Sequence, residues 1–366
     1  MSAEPGDVEA TDAAAVEPEA NEAEAGSGRA WPRIAWRISL LLVSGVSLYL
    51  LAPKLMSVFT SWPELKTLKP GWVALALGFE VMSYVSLWAM QRIALHTTSW
   101  FSVATTQLAS GAVGSIVPGG AATAGAAAYR MLTQAGVRST DVASGLAAAT
   151  IASTAAVCAL PVLALPGILG GTPAPDGLLQ ALYVGLAAFV AVAILAACAF
   201  GWDRPLLIAG GAARWLIQRV RHDAAADLPQ RLITQRDRMK QTFGRRWQIA
   251  VTGAVGKVGF DYLALVCCLA AVGVRPNPSL VLLAYVAGAL LALIPITPGG
   301  LGFVEAGLTG MLALAGVGGQ DALVATLAYR LVSFWLPLPA GGVAYLMFQR
   351  RYDSEPDESA TSATVP

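Results

Sequence analysis

The chain has 366 residues, 56% of them hydrophobic and only 13% charged, with a formal net charge of +1, about half the roughly 25% charge of a typical soluble domain. Charge gathers at the ends: residues 1–28 carry eight acids and no base, residues 353–366 four acids and no base, leaving 11 acids against 24 bases between them. A single soluble core is thereby excluded, because the body is a series of long runs apolar on every side, and the acidic start lacks the basic region and cleavage site of a secretory signal.

With about 20 residues per span as the measure, ten apolar segments follow in order: 34–52, 71–95, 100–117, 121–136, 141–169, 176–200, 247–272, 279–296, 301–316 and 320–349. The fourth and ninth are short, and each follows a Pro-Gly-Gly turn. Segments three with four and eight with nine therefore read as spans or as re-entrant hairpins, the latter allowed where protein or a polar cavity surrounds the backbone. The division expected is an acidic disordered tail (1–28), a first membrane half (29–201), a basic loop (202–246), a second membrane half (247–351) and a second acidic disordered tail (352–366). Both tails are too poor in large apolar residues to fold alone.

Residues 202–246 hold ten bases against four acids, and Arg29, Arg33, Arg37, Arg350 and Arg351 flank the outer segments. Positive charge stays on the cytoplasmic side, so both termini and the central loop are expected there, in a multi-pass protein of the cell membrane. Basic clusters beside spans set topology and touch anionic headgroups, so no nucleic-acid partner is expected. The four cysteines, Cys158, Cys198, Cys267 and Cys268, lie in apolar runs, and His96 and His222 stand apart from them. That pattern suits buried thiols rather than a metal site. Neither a cofactor nor an ATP-binding loop is indicated.

Residues 118–141 laid over 298–321 match at ten of 24 positions without a gap, and Gly78-Phe79-Glu80 falls over Gly259-Phe260-Asp261. By the orientation above, segment two runs inward and segment seven outward, so the repeats are inverted. Inverted repeats with Gly/Pro-interrupted helices are the architecture of secondary transporters, with a site near the midplane between the halves. The fold class is accordingly an all-α polytopic membrane protein in two inverted repeats.

Seven ionisable residues fall within the apolar segments. Arg92 is near a helix end and can snorkel; Glu80, Arg130, Lys257, Asp261, Glu305 and Arg330 cannot. A charge at the centre of a lipid-facing helix costs roughly 2.5–3.5 kcal/mol, so six cost on the order of 15–20 kcal/mol and are expected to face the interior, partly paired. Lys257 and Asp261, four apart, share a helix face and can neutralise each other. Glu305 stands in the first turns of a helix whose dipole favours its carboxylate, ready to pair with Arg130 or Arg330. The turns Pro118-Gly119-Gly120 and Pro298-Gly299-Gly300 expose amides and carbonyls that can hold a phosphate. Together with Tyr129 and Tyr329 beside the two arginines, these residues form the candidate site for substrate or coupling ion, with Glu80, Lys257 and Asp261 in support. The two turns are expected to meet around a cavity containing Glu305, where a surplus base calls for an anionic headgroup.

The stretch ITPGGLGFVEAGLTGMLALAGV, followed by ALVATLAYRLVSFWLPLPAGG, resembles the C-terminal signature of the lysylphosphatidylglycerol synthase transmembrane region, a flippase-like family of polytopic membrane proteins. VPGGAATAGAAAYRMLTQAGV is similar to the family's earlier element, although Gly125 stands where the second copy has Glu305. The resemblance covers residues 34–350 and implies movement of an anionic, aminoacylated or glycosylated lipid between leaflets, with membrane phospholipids, a lipid synthase or a glycosyltransferase as partners. Only 15 residues follow Arg351 and the central loop has 45, too few for a soluble aminoacyltransferase domain, so the chain is not expected to be that enzyme. The alternatives are a membrane-embedded glycosyltransferase or other lipid-modifying enzyme, and a non-catalytic membrane partner of a lipid synthase. The oligomeric state is not specified.

Overall fold

The computed structural model describes residues 68–117, 120–171, 173–202, 247–292 and 298–352, with scattered positions between 207 and 237. The first apolar segment, the N-terminal acidic tail, the C-terminal tail from residue 353, His222 and most of the central loop lie outside the described residues. What is described is all-α, with no strand. The helices are α1 (Pro70–Ala94), α2 (Trp100–Ile116), α3 (Ala121–Gln134), α4 (Ser139–Leu169), α5 (Asp176–Gly201), α6 (Trp247–Val272), α7 (Pro278–Ala292), α8 (Phe303–Leu314), α9 (Gly319–Arg330) and α10 (Pro337–Tyr352). A 3₁₀ turn, Pro298–Gly300, precedes α8, and a π turn, Leu331–Trp335, joins α9 to α10.

Of the ten expected segments the first lies outside the described residues, and the second to ninth appear as single helices close to the expected bounds. The last segment is different: it runs continuously from Gly319 to Tyr352 but carries a π turn after Arg330, which adds an i→i+5 bond from the Leu336 amide to the Leu331 carbonyl (2.9 Å). Insertions of this kind occur mostly at functional sites, because they re-aim the side chains around them. α3 and α8, with 14 and 12 residues, rise only about 21 and 18 Å, short of the roughly 30 Å hydrocarbon core. Neither can cross it alone.

The longest helix contact is between α1 and α6, which run antiparallel. The Lys69 amide donates to the Ala271 carbonyl (3.2 Å) at one end and the Ser83 hydroxyl to the Lys257 carbonyl (2.9 Å) further along. Lipid supplies no hydrophobic drive for helix association, so close packing depends on small residues. A Cβ at Gly253 would stand 2.8 Å from that of Met90, and its absence lets the two backbones approach. α2 and α10 are likewise antiparallel, with Gly341 facing Leu108 and Arg351 lying over the Phe101 ring. The relation of segments two and seven is therefore the one that inverted repeats require.

α7 is the centre of the second half. Residues 280–288 are buried in succession, packed against α4, α5, α6 and α8 in the largest apolar cluster. α5 is the opposite case, with Val184, Val190, Ile194 and Leu195 exposed. An unbroken apolar face of this kind suits lipid and would be costly in water.

Candidate functional site

Gly302, at φ 81°, caps the start of α8 and places Glu305 in its first turn. The Glu305 carboxylate accepts the Gly302 amide with Oε2 and the Arg330 Nε (2.8 Å) with Oε1. Arg330 stands at the junction of α9 with the π turn, and its side chain crosses to the turn before α8. There its Nη2 donates to the Gly299 carbonyl (3.1 Å), and the guanidinium lies 4.2 Å from the centroid of Phe334. Five donors in a planar fork make arginine suited to such a three-way contact.

Gly299 has φ 61°, a backbone conformation that favours glycine. A Cβ there would also stand 2.6 Å from the Phe334 ring and 3.2 Å from the Ser115 carbonyl. The second Pro-Gly-Gly turn is thus wedged between the π turn and the end of α2. Ser115 is three residues before Pro118. Pro118 and Gly119 themselves, and the Pro298 side chain, lie outside the described residues; Gly120, at φ 46°, caps α3, and Gly300, at φ 68°, is buried.

A second polar cluster adjoins the first through Tyr329. Asp261 of α6 accepts the hydroxyls of Tyr285 from α7 and Tyr329 from α9, the latter at 3.0 Å. Glu80 of α1 is 4% exposed, and its Oε2 has no hydrogen-bond partner among the described residues. Lys257 and Asp261 were expected to neutralise each other. The structure gives Asp261 two tyrosine hydroxyls instead and sends the Lys257 ammonium over the Tyr84 ring, 5.8 Å from its centroid.

A cavity of about 430 Å³ joins the clusters, with Lys257, Asp261, Tyr285, Tyr329 and Arg330 along its wall and Ser153 and Thr154 of α4 opposite. A smaller cavity of about 80 Å³ lies beyond the Arg330–Phe334 contact, lined by Tyr84, Gln107, Ser115 and Ser333. Arg330 and Phe334 stand between the two.

Two of the sequence-based candidates are elsewhere. Arg130 and Tyr129 lie on the exposed face of α3, so Arg130 does not pair with Glu305. This reverses the expected charge balance: among the described residues, Glu80, Asp261 and Glu305 face Lys257 and Arg330, a surplus of one acid rather than of one base. Tyr285, Phe334 and Gly302 were missed by the sequence reading. A hydroxyl in the otherwise apolar segment eight was the available signal for Tyr285; no local pattern marks the other two, whose roles arise from the turn and the π insertion.

The family profile described as lysylphosphatidylglycerol synthase TM region matches residues 36–341. A UPF0104 membrane protein of Methanothermobacter thermautotrophicus is 33% identical over 101 residues, a stretch covering 28% of this chain and 29% of that protein. The alignment thus spans less than a third of the relative's length. By the extent of the profile match, together with the apolar helices, this is a membrane protein that belongs to the lysylphosphatidylglycerol synthase TM region family, a membrane domain linked to lipid metabolism.

Proposed function

We propose that the protein is a flippase-like transporter that moves a phospholipid with an amine-bearing headgroup, such as an aminoacylated lipid, between leaflets. The observation carrying this reading is the cavity of about 430 Å³, whose wall holds both signs of charge next to the π turn of a long helix. A phosphate would meet Lys257 and the outer edge of Arg330, and an ammonium would meet Asp261, whose surplus negative charge favours a cation over a purely anionic headgroup. Cavities of a few hundred Å³ suit a headgroup, while the acyl chains can remain in lipid. The Arg330–Phe334 contact acts as a barrier between the two cavities and must open for passage.

The test is reconstitution of the full chain in liposomes with fluorescent aminoacylated phosphatidylglycerol, unmodified phosphatidylglycerol or a glycolipid in one leaflet. Faster movement of the aminoacylated lipid, lost in Asp261→Asn at equal incorporation, supports the reading. Equal rates with empty liposomes for every lipid refute it. A lipid product of altered mass would instead favour the enzyme alternative.

A further inference from the structure

We propose that Glu80 and Asp261 form a proton-binding site at the pseudo-two-fold axis, and that its proton leaves when an ammonium headgroup enters the adjoining cavity. The exchange rests on the transport reading above; the proton site itself does not.

The first observation is symmetry. Gly78-Phe79-Glu80 and Gly259-Phe260-Asp261 are equivalent positions of the inverted repeat. A residue approaches its own symmetry mate only near the axis: Phe79 stacks on Phe260 with centroids 6.1 Å apart, and the α1–α6 register, fixed by the Lys69–Ala271 and Ser83–Lys257 hydrogen bonds, sets Glu80 level with Asp261. The axis therefore runs between α1 and α6 and brings two acids together in the buried interior.

The second observation is hydrogen bonding. Two carboxylates accept and neither donates, so a hydrogen bond between them requires one proton. Asp261 already accepts two tyrosine hydroxyls. Glu80 has no such donors among the described residues, is 4% exposed, and keeps Oε2 unpartnered among them. In the proposed pair the proton is therefore assigned to Glu80, the buried acid whose Oε2 lacks a partner among the described residues.

The groups facing the pair are Tyr84 from α1, Lys257 and Cys268 from α6, Tyr285 from α7, and Tyr329 and Arg330 from α9, while α4 lines the cavity with the non-titrating Ser153, Thr154 and Val157. Lys257 lines the same cavity as Asp261, and Arg330 is committed to Glu305. Two negative charges against one leave room for one proton or one further cation. An ammonium bound at Asp261 supplies that cation, whereupon the Glu80 O–H bond breaks, its electron pair stays on the carboxylate and the proton passes to water in the cavity. One proton is thus exchanged for one ammonium.

Infrared spectra of the full chain in phosphatidylglycerol nanodiscs test the site without reference to transport. A protonated-carboxyl band at pH 7, absent in Glu80→Gln and retained in Glu305→Gln, is expected; if Glu80→Gln does not fold, Asp261→Asn should shift the band toward a weaker hydrogen bond. No band in the wild type, or a band that both variants leave unchanged, overturns the site. Adding phosphatidylethanolamine should abolish the band, and a one-unit pH gradient across liposomes should then bias the leaflet distribution of labelled phosphatidylethanolamine by up to about tenfold. Glu80→Gln should move the lipid without that bias. A band that persists with phosphatidylethanolamine overturns the exchange, whereas an unaltered band response with no lipid movement at all overturns only the transport reading.

Discussion

Replacing Arg330 by Leu probes the contact that joins α8, α9 and the second Pro-Gly-Gly turn. The guanidinium is 2.8 Å from Glu305, donates at 3.1 Å to Gly299 and lies 4.2 Å from the Phe334 centroid. With side chains 10% and 15% exposed, the ion pair loses little to solvent screening. Removing one partner of a buried pair costs about 3–5 kcal/mol, chiefly because the other charge is stranded. The Gly299 bond and the ring contact are lost in the same truncation and are included in that figure. Adding Glu305→Gln to Arg330→Leu removes the stranded charge, so the double variant should be more stable than Arg330→Leu alone, by about 2 kcal/mol. Reversible unfolding in mixed micelles of mild detergent and dodecyl sulfate, followed by tryptophan fluorescence, measures both. An Arg330→Leu loss below about 1 kcal/mol, or strictly additive single and double variants, would refute the buried-pair account.

Gly341→Ala puts a Cβ against the Leu108 carbonyl and 2.6 Å from the Ala112 Cβ, which should destabilise the α2–α10 contact by about 1–3 kcal/mol in the same assay; Gly342→Ala, with nothing within 4 Å, should change stability by less than about 0.5 kcal/mol. Gly299→Ala combines a left-handed conformation worth about 1–2 kcal/mol with a clash against Phe334, and should lower the thermal midpoint more than Gly120→Ala, whose Cβ meets nothing. Arg130→Ala should leave lipid movement at the wild-type rate, since its side chain is on the exposed face of α3. A cysteine at Ala225, in a background without the native thiols, should resist impermeant thiol reagents in intact cells; labelling there would reverse the expected orientation.

Much of the fold was legible because a bilayer imposes a length and an apolar composition on each span, and α1 to α8 each begin and end near a segment read from hydropathy. The inverted repeat was legible too, since duplicated Pro-Gly-Gly, Met-Leu and Gly-Phe-acid elements survive in the residues themselves. Intramembrane charge marked Glu80, Lys257, Asp261, Glu305 and Arg330 as interior, because exposure to lipid would cost each several kcal/mol. Partnership was another matter. Arg130 and Arg330 look alike in the sequence, each following a tyrosine on a short helix, but one faces outward on α3 and the other reaches Gly299 and Glu305. That difference comes from the rotation of α9, the π turn after it and the left-handed Gly299, and none of these has a local period. Lys257 and Asp261 share a face by spacing alone, yet Asp261 binds tyrosines on two other helices, contacts 24 and 68 residues away. Composition and periodicity decide which residues must leave lipid; only the packing of distant helices decides which of them meet, because the partner is chosen by three-dimensional proximity and not by position along the chain.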